Sequence, residues 1–247
     1  MRLAIVTGGS RGLGLALCEG LSERGYRVLE FSRTAPHPFS VRVDLSLPIE
    51  SRRLAAAAIA PIHAETLEGL VIVSNASTLE PVGPVSAKSP DTVAANLNVN
   101  LVSPIQCLAE IVARFQSAPC SKVLVNISSG AARKGYAGWS LYCAAKAGME
   151  AFFNAVAAEQ RDQLHPFVVI SIDPGVIDTQ MQTYIRAAST SDFPEVERFV
   201  RRKEEGGLAS PRDVARRVLR IVSSPSLVSG GRYDVEDLGE ELSPKSS

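Results

Sequence analysis

Net charge is missing from this 247-residue chain: 26 lysines and arginines balance 26 aspartates and glutamates. No field draws in nucleic acid or an anionic membrane surface, so neither is an expected partner. Cysteine and histidine are scarce. The four cysteines, at 18, 107, 120 and 143, form no C-x-x-C pair, and the three histidines, at 37, 63 and 165, stand far apart. A disulfide framework and a zinc site are both unsupported, and no metal is expected. No apolar run approaches the ~18 residues that span a bilayer, and no charged leader with an apolar core precedes the first strand candidate. These absences point to a reduced, cytoplasmic protein acting on a small molecule.

What is present is a regular alternation. Short apolar runs rich in β-branched residues, Leu3 to Val6, Arg27 to Phe31, Leu70 to Val73, Val123 to Ile127 and Val168 to Ile172, read as buried strands. Helical stretches lie between them: Leu13 to Arg24, Pro48 to Ala64, Val93 to Phe115 and Tyr142 to Gln163. Alternating strand and helix implies right-handed crossovers, hence an α/β fold with a doubly wound parallel sheet of Rossmann type in a single domain over residues 1–238. Residues 178–207 are more polar and break the alternation, as a substrate lid would; Ser210-Pro211 reads as the cap and first turn of a further helix. Residues 239–247 read as a polar C-terminal tail.

The first strand runs into Thr7-Gly8-Gly9-Ser10-Arg11-Gly12-Leu13-Gly14 and then a helix. Glycines there allow a tight turn and close approach of a pyrophosphate to the amides of a helix start. The Gly-Lys-Ser/Thr ending of a triphosphate loop is absent, which argues against a kinase or GTPase. After the second strand comes Phe31-Ser32-Arg33-Thr34, with no acid at the position that would hold the ribose hydroxyls of NAD. Arg33, with Arg11 opposite, instead suits a 2′-phosphate, so NADP(H) is the expected cofactor. Asp44-Leu45 and Asn75-Ala76 follow later strands, at the carboxyl ends where open α/β sheets bind ligands.

Tyr142 and Lys146 stand four residues apart, on one face of the predicted helix. A neighbouring cation favours a phenolate, so the pair is expected to serve as acid and base.

Together these features resemble the short-chain dehydrogenase/reductase family over nearly the whole chain. The resemblance rests on Thr7-Gly8 to Gly14, Asp44, Asn75-Ala76, Asn100, Ser128-Ser129, Tyr142 with Lys146, and Pro174-Gly175 with Thr179. It implies that Tyr142 gives a proton to a substrate carbonyl as hydride arrives, that Lys146 lowers the phenol's pKa and holds the nicotinamide ribose, and that Ser129 stabilises the carbonyl oxygen. Ser128 is the adjacent alternative, since neighbouring strand residues face opposite ways. Asn100 is implied to anchor a water near Lys146. Gly8, Ser10, Arg11, Gly12, Leu13, Gly14, Ser32, Arg33, Asp44, Leu45, Asn75, Ala76, Pro174, Gly175, Ile177 and Thr179 are implied to contact the cofactor, along with Tyr142 and Lys146. Ser77 departs from the family pattern, which has glycine there, and a slight backbone shift is expected. The family also implies a homodimer or homotetramer built on the two long helices.

Within the family, the stretches Gly138 to Cys143, Asp178 to Gln182 and Ser229 to Asp234 are similar to sepiapterin reductases and bacterial benzil reductases. That likeness implies that Trp139, Met181 and Asp234 line the substrate site with Ser129 and Tyr142, and that the substrate is a vicinal dicarbonyl or aryl ketone. The alternatives are a non-catalytic NADP(H)-sensing regulator or another alcohol dehydrogenase substrate class. Dehydratase or epimerase chemistry would call for further acids near Tyr142, and the sequence suggests none.

Overall fold

The central strands are largely apolar, and helices cover the sheet on both sides. In the computed structural model of the chain, which describes residues 1–237, seven strands form one parallel sheet in the order β3-β2-β1-β4-β5-β6-β7. They are β1 (Arg2–Thr7), β2 (Arg27–Ser32), β3 (Ser40–Arg42), β4 (Gly69–Ser74), β5 (Ser121–Ile127), β6 (Val168–Asp173) and β7 (Arg232–Asp234). The tail expected at 239–247 and the domain end at Leu238 lie outside the described residues. In β1, Leu3 and Ile5 enter the core on one face while Ala4 and Val6 enter it on the other. This is the two-residue period of a strand. Helices α1 (Gly12–Glu23) and α8 (Pro211–Val222) cover the Ala4 and Val6 face. Helices α2 (Pro48–Ile59), α4 (Ser103–Phe115) and α5 (Ser140–Glu159) cover the other. The doubly wound single domain expected from the sequence is the fold observed.

Element boundaries depart from expectation where local chemistry intervenes. The helix expected over Pro48 to Ala64 stops at Ile59, just ahead of Pro61, which cannot continue the ladder and disfavours helix in the residue before it. The long helix expected over Val93 to Phe115 is divided into α3 (Pro90–Leu97), a π-helical turn at Asn98–Val102, and α4. The Ser103 amide reaches back to the Asn98 carbonyl, the wide i→i+5 spacing of a π turn, just ahead of Pro104, which has no N–H for the Asn100 carbonyl. Strand β7 and the helices α6 (Gln180–Arg186) and α7 (Val196–Glu204) have no counterpart among the elements expected from sequence. Ser210 caps α8 as expected, accepting the Asp213 amide at 3.1 Å.

Strand order reverses between β1 and β4, which lead to opposite sides of the sheet. Their diverging connections open a crevice at the carboxyl ends. No helix among the described residues is long and apolar enough to cross a membrane.

The packed face supplies a stability test. Phe153 on α5 is 1% exposed within the core, and Phe153→Ala is expected to cost about 3–5 kcal/mol in urea unfolding. Leu164, 88% exposed, is the control: Leu164→Ala should leave the midpoint within error.

Candidate active site

One cleft of about 1380 Å³ runs along the carboxyl ends of the strands from the glycine turn to α7. At its centre the turn after β1 enters α1. The first-turn amides of Gly12, Leu13 and Gly14 find no acceptor among the described residues, so three donors face a site suited to an anion. Gly14 has to be glycine: a Cβ there would lie 2.1 Å from the Gly8 carbonyl oxygen. Asn75, after β4, braces the turn by donating from Nδ2 to the carbonyls of Thr7 and Gly8, both at 3.0 Å. Thr7 Oγ1 accepts the amides of Asn75 and Ala76. Asn75 therefore shapes the turn as well as lining the cleft.

The adenosine-side residues expected from sequence converge on one end of this cleft: Ser10, Arg11, Gly12, Leu13, Ser32, Arg33, Asp44 and Leu45 all line it. Arg11 and Arg33 are exposed and carry no ion pair among the described residues. Asp44 is partly committed, since its Oδ1 accepts the Ser46 amide at 3.0 Å and the Ser46 hydroxyl at 2.8 Å. The Ser32 hydroxyl is committed too: it donates to Glu30 Oε2 at 3.0 Å and accepts the Ala35 amide at 3.1 Å.

Tyr142 and Lys146 are buried on successive turns of α5. Lys146 Nζ donates to the Ile127 carbonyl at 2.8 Å and lies 5.5 Å from the centre of the Tyr142 ring. The structure reverses the expected direction of the phenol's shift. Burial pushes Tyr142 up to about 12, while hydrogen bonding by Ser129 and Ser77 pulls it down and the Asp173 charge pushes it further up. Lys146 is lowered to about 8, again by burial, against the opposing charges of Asp173 and Glu150. Both groups leave water together, so each favours its neutral form and the ammonium does not dominate its neighbour.

Of the two serine candidates, Ser129 is the one that bears on the phenol. Ser128 is buried and donates instead to Glu150. Ser77, notable in the sequence only as a departure from glycine, adds a hydroxyl that also acts on Tyr142 and donates to Asn100 Oδ1 at 3.1 Å. Its backbone needs no positive φ. The Asn100 side chain is fully engaged: Oδ1 also accepts the Thr78 amide at 2.8 Å, and Nδ2 donates to the Thr78 carbonyl at 2.8 Å and to Asn96 Oδ1 at 3.0 Å. It pins the loop that carries Ser77.

Beside Lys146 lies a charge cluster centred on Arg232, which no sequence pattern announces. Arg232 on β7 donates from Nε to Glu150 Oε1 at 3.0 Å, from Nη1 to Asp234 Oδ1 at 2.8 Å and from Nη2 to Asp173 Oδ2 at 2.7 Å. Burial alone would lower the guanidinium's pKa, but the bond to Glu150 and the charges of Asp173, Glu150 and Asp234 outweigh it and hold the group charged. The expectation of no further acid near Tyr142 is thus corrected: Asp173 acts on both Tyr142 and Lys146, and Glu150 acts on Lys146. Asp173 also accepts the Gly175 amide at 3.0 Å, tying the cluster to the Pro174-Gly175 turn, which lines the cleft with Ile177 and Thr179. Asp234 lines the cleft, but as a partner of Arg232 and not as a free carboxylate. Only Glu150, one helical turn beyond Lys146, carries a local signal for this cluster.

The far end of the cleft is aromatic. Trp139 stacks on Phe193 at 4.6 Å between ring centres and 16° between planes, with Tyr136, Phe199 and the edge of Tyr142 around it. Phe193 and Ile185 belong to the 178–207 segment, so that segment is anchored on the indole. Trp139 is consequently core as well as wall, and Met181 lines the cleft at the rim of the same cluster.

Four likenesses to known proteins bear on this geometry. The short chain dehydrogenase family model matches residues 2–190. The chain is 34% identical over 242 residues to a benzil reductase ((S)-benzoin forming) of Bacillus subtilis (strain 168), covering 96% of this chain and 99% of that one. A sepiapterin reductase of Xenopus laevis is 31% identical over 258 residues, with 95% of each chain covered. Among solved structures, the KRED1-Pglu enzyme superposes with a TM-score of 0.78 at 27% identity, covering 94% of this chain and all of that one. A parallel sheet with an amide-lined glycine turn, and a buried tyrosine and lysine one turn apart at its edge, agree with these likenesses: the chain belongs to the short chain dehydrogenase family of oxidoreductases, which use nicotinamide cofactors.

Proposed function

We propose that this protein is an NADPH-dependent reductase of ketones flanked by a second carbonyl or an aryl ring. The observation that carries the reading is the convergence of Ser129, Ser77, the buried Tyr142 and Lys146 on the same cleft as the open amides of α1. The residues present suit a dinucleotide: Gly12, Leu13 and Gly14 amides for the pyrophosphate, Arg11 and Arg33 for a 2′-phosphate, Lys146 for a ribose, and the Pro174 to Thr179 turn for the nicotinamide. When bound, that group supplies the hydride. Tyr142, keeping its proton because it is buried, gives it to the developing alkoxide oxygen, and Ser129 hydrogen-bonds the same oxygen as charge builds. Arg232 holds Asp173 and Glu150 beside Lys146, so the lysine is not left alone in a low dielectric.

The aromatic end of the cleft supports a flat, ring-bearing substrate, with the 178–207 segment serving as its lid. A second carbonyl withdraws electrons from the attacked carbon, and Met181 and Trp139 provide apolar wall for a ring. The likeness to a benzil reductase and a sepiapterin reductase supports the same class. A homodimer or homotetramer, as is common in the family, is part of this reading.

Three outcomes test it. Mixing the protein with NADPH and benzil or 1-phenyl-1,2-propanedione should consume the reduced-nicotinamide absorbance; Tyr142→Phe should slow this by roughly 10²–10⁴-fold with NADPH affinity retained. Undiminished turnover in that variant would remove the phenol from the reaction. Arg33→Asp should swing the preference toward NADH, because it replaces a cation at the 2′-phosphate by an acid suited to ribose hydroxyls; an unchanged ratio sinks the assignment. Finally, kcat/KM for NADPH should fall as pH rises through about 8, where Lys146 loses its charge, while Tyr142, pushed up to about 12, remains protonated. A profile with no fall above pH 8 would show that the ammonium is not required.

A further inference from the structure

Beneath the adenosine end of the cleft lies an acid that plays no part in the chemistry above. Glu30 stands on β2 two residues before Ser32, so both side chains leave the same face of the sheet. It is 0% exposed, and among the described residues no cation pairs with it. Its two oxygens have separate tasks: Oε1 accepts the Gly9 amide at 2.9 Å and Oε2 accepts the Ser32 hydroxyl at 3.0 Å. Gly9 makes this approach possible, since a Cβ there would lie 2.4 Å from Glu30 Cγ and 2.7 Å from Cys18 Sγ. The carboxylate's field also reaches Cys18, whose thiol is pushed up to about 12 by burial and then by Glu30.

A serine hydroxyl has one proton to give. In Ser32 that proton goes to Glu30, while the oxygen accepts the amide of Ala35, a residue held at φ 42 in the left-handed region. Ser32 therefore lines the cleft next to Arg33 with acceptor capacity only. Any phosphate seated there meets a lone pair at Ser32 and donors at Arg11 and Arg33.

We propose that Glu30 is a specificity-determining residue of the dinucleotide site: by holding the Ser32 proton it withdraws a neutral donor from the 2′ position and leaves recognition of a 2′-phosphate to the two guanidinium groups. This rests on the NADP(H) reading given above. Recognition of that kind is charge-based and weakens with salt, whereas a serine donor would add a salt-insensitive contact. An acid thus does exist near the end of β2, but it is turned inward and fully buried.

The test is calorimetric titration with adenosine 2′,5′-bisphosphate and AMP, which differ by the 2′-phosphate alone. Ser32→Ala in the otherwise native chain should leave the ratio of the two affinities within about twofold. Glu30→Gln keeps an acceptor for Gly9 but presents an amide N–H₂ to the Ser32 oxygen, freeing the hydroxyl proton for the cleft; the ratio should rise about tenfold in favour of the bisphosphate. Adding Ser32→Ala to Glu30→Gln should take back the part of that gain due to the hydroxyl, and any remainder belongs to the lost charge. A tenfold fall on Ser32→Ala alone, or an unchanged ratio in folded Glu30→Gln, overturns the role of Glu30. If Glu30→Gln does not fold, Ser32→Ala alone decides. Equal binding of both nucleotides by the native chain overturns the 2′-phosphate reading itself, a result distinct from a native preference that collapses on Ser32→Ala.

Discussion

Hydrogen bonding between parallel strands governs the arrangement of this molecule. A parallel ladder obliges every strand to enter the sheet from the same side, so every carboxyl end arrives at one edge and every return crosses a face. The seven strands obey this without exception. Residues far apart in sequence, Gly8, Asn75, Ser129, Asp173 and Asp234, are brought to one rim for that reason alone. The reversal of direction between β1 and β4 then parts the connections and leaves a cleft where polar ends can meet a ligand.

The chemistry of the rim is set by how much water the packing removes. Tyr142 and Lys146 are both enclosed, and enclosure shifts one up and the other down. A tyrosine that keeps its proton can donate it only if something makes the departing state tolerable. The hydroxyls of Ser129 and Ser77 pull the phenol's pKa down against burial, and the acids around Arg232 sustain the positive charge on Lys146. Burying one arginine with three carboxylates is costly unless every donor is used, and here Nε, Nη1 and Nη2 each find a separate acid. The cluster joins α5, β6 and β7 beside Lys146. It thus couples the last strand of the sheet to the site, and gives Asp234 a structural task in addition to its place on the cleft wall.

Features carried by neighbouring residues are legible in the amino-acid sequence. The β-branched runs declare five of the strands, the glycine turn between strand and helix declares a helix start with open amides, and Tyr142 with Lys146 declares one face of α5. Features that depend on separate elements are not legible there. Ser77 reads as a missing glycine until Asn100 and Tyr142 approach it; Glu30 reads as an ordinary strand residue until Gly9 closes over it. The π turn at Asn98–Val102 shows the limit for local signals too, because Pro104 is visible in the chain but the bonds of the Asn100 side chain to Thr78 come from a separate loop.

By itself the amino-acid order determined the alternation of strand and helix, the parallel sheet, the position of the glycine turn and the pairing of a phenol with an amine, since each follows from backbone geometry over a few residues. Tertiary structure alone decided the directions in which those groups titrate, the turning of Ser128 to Glu150 while Ser129 bears on the phenol, the inward turn of Glu30 and the partnership of Arg232 with three acids. Desolvation and charge pairing are sums over every neighbour in space, and most of those neighbours are contributed by distant parts of the chain.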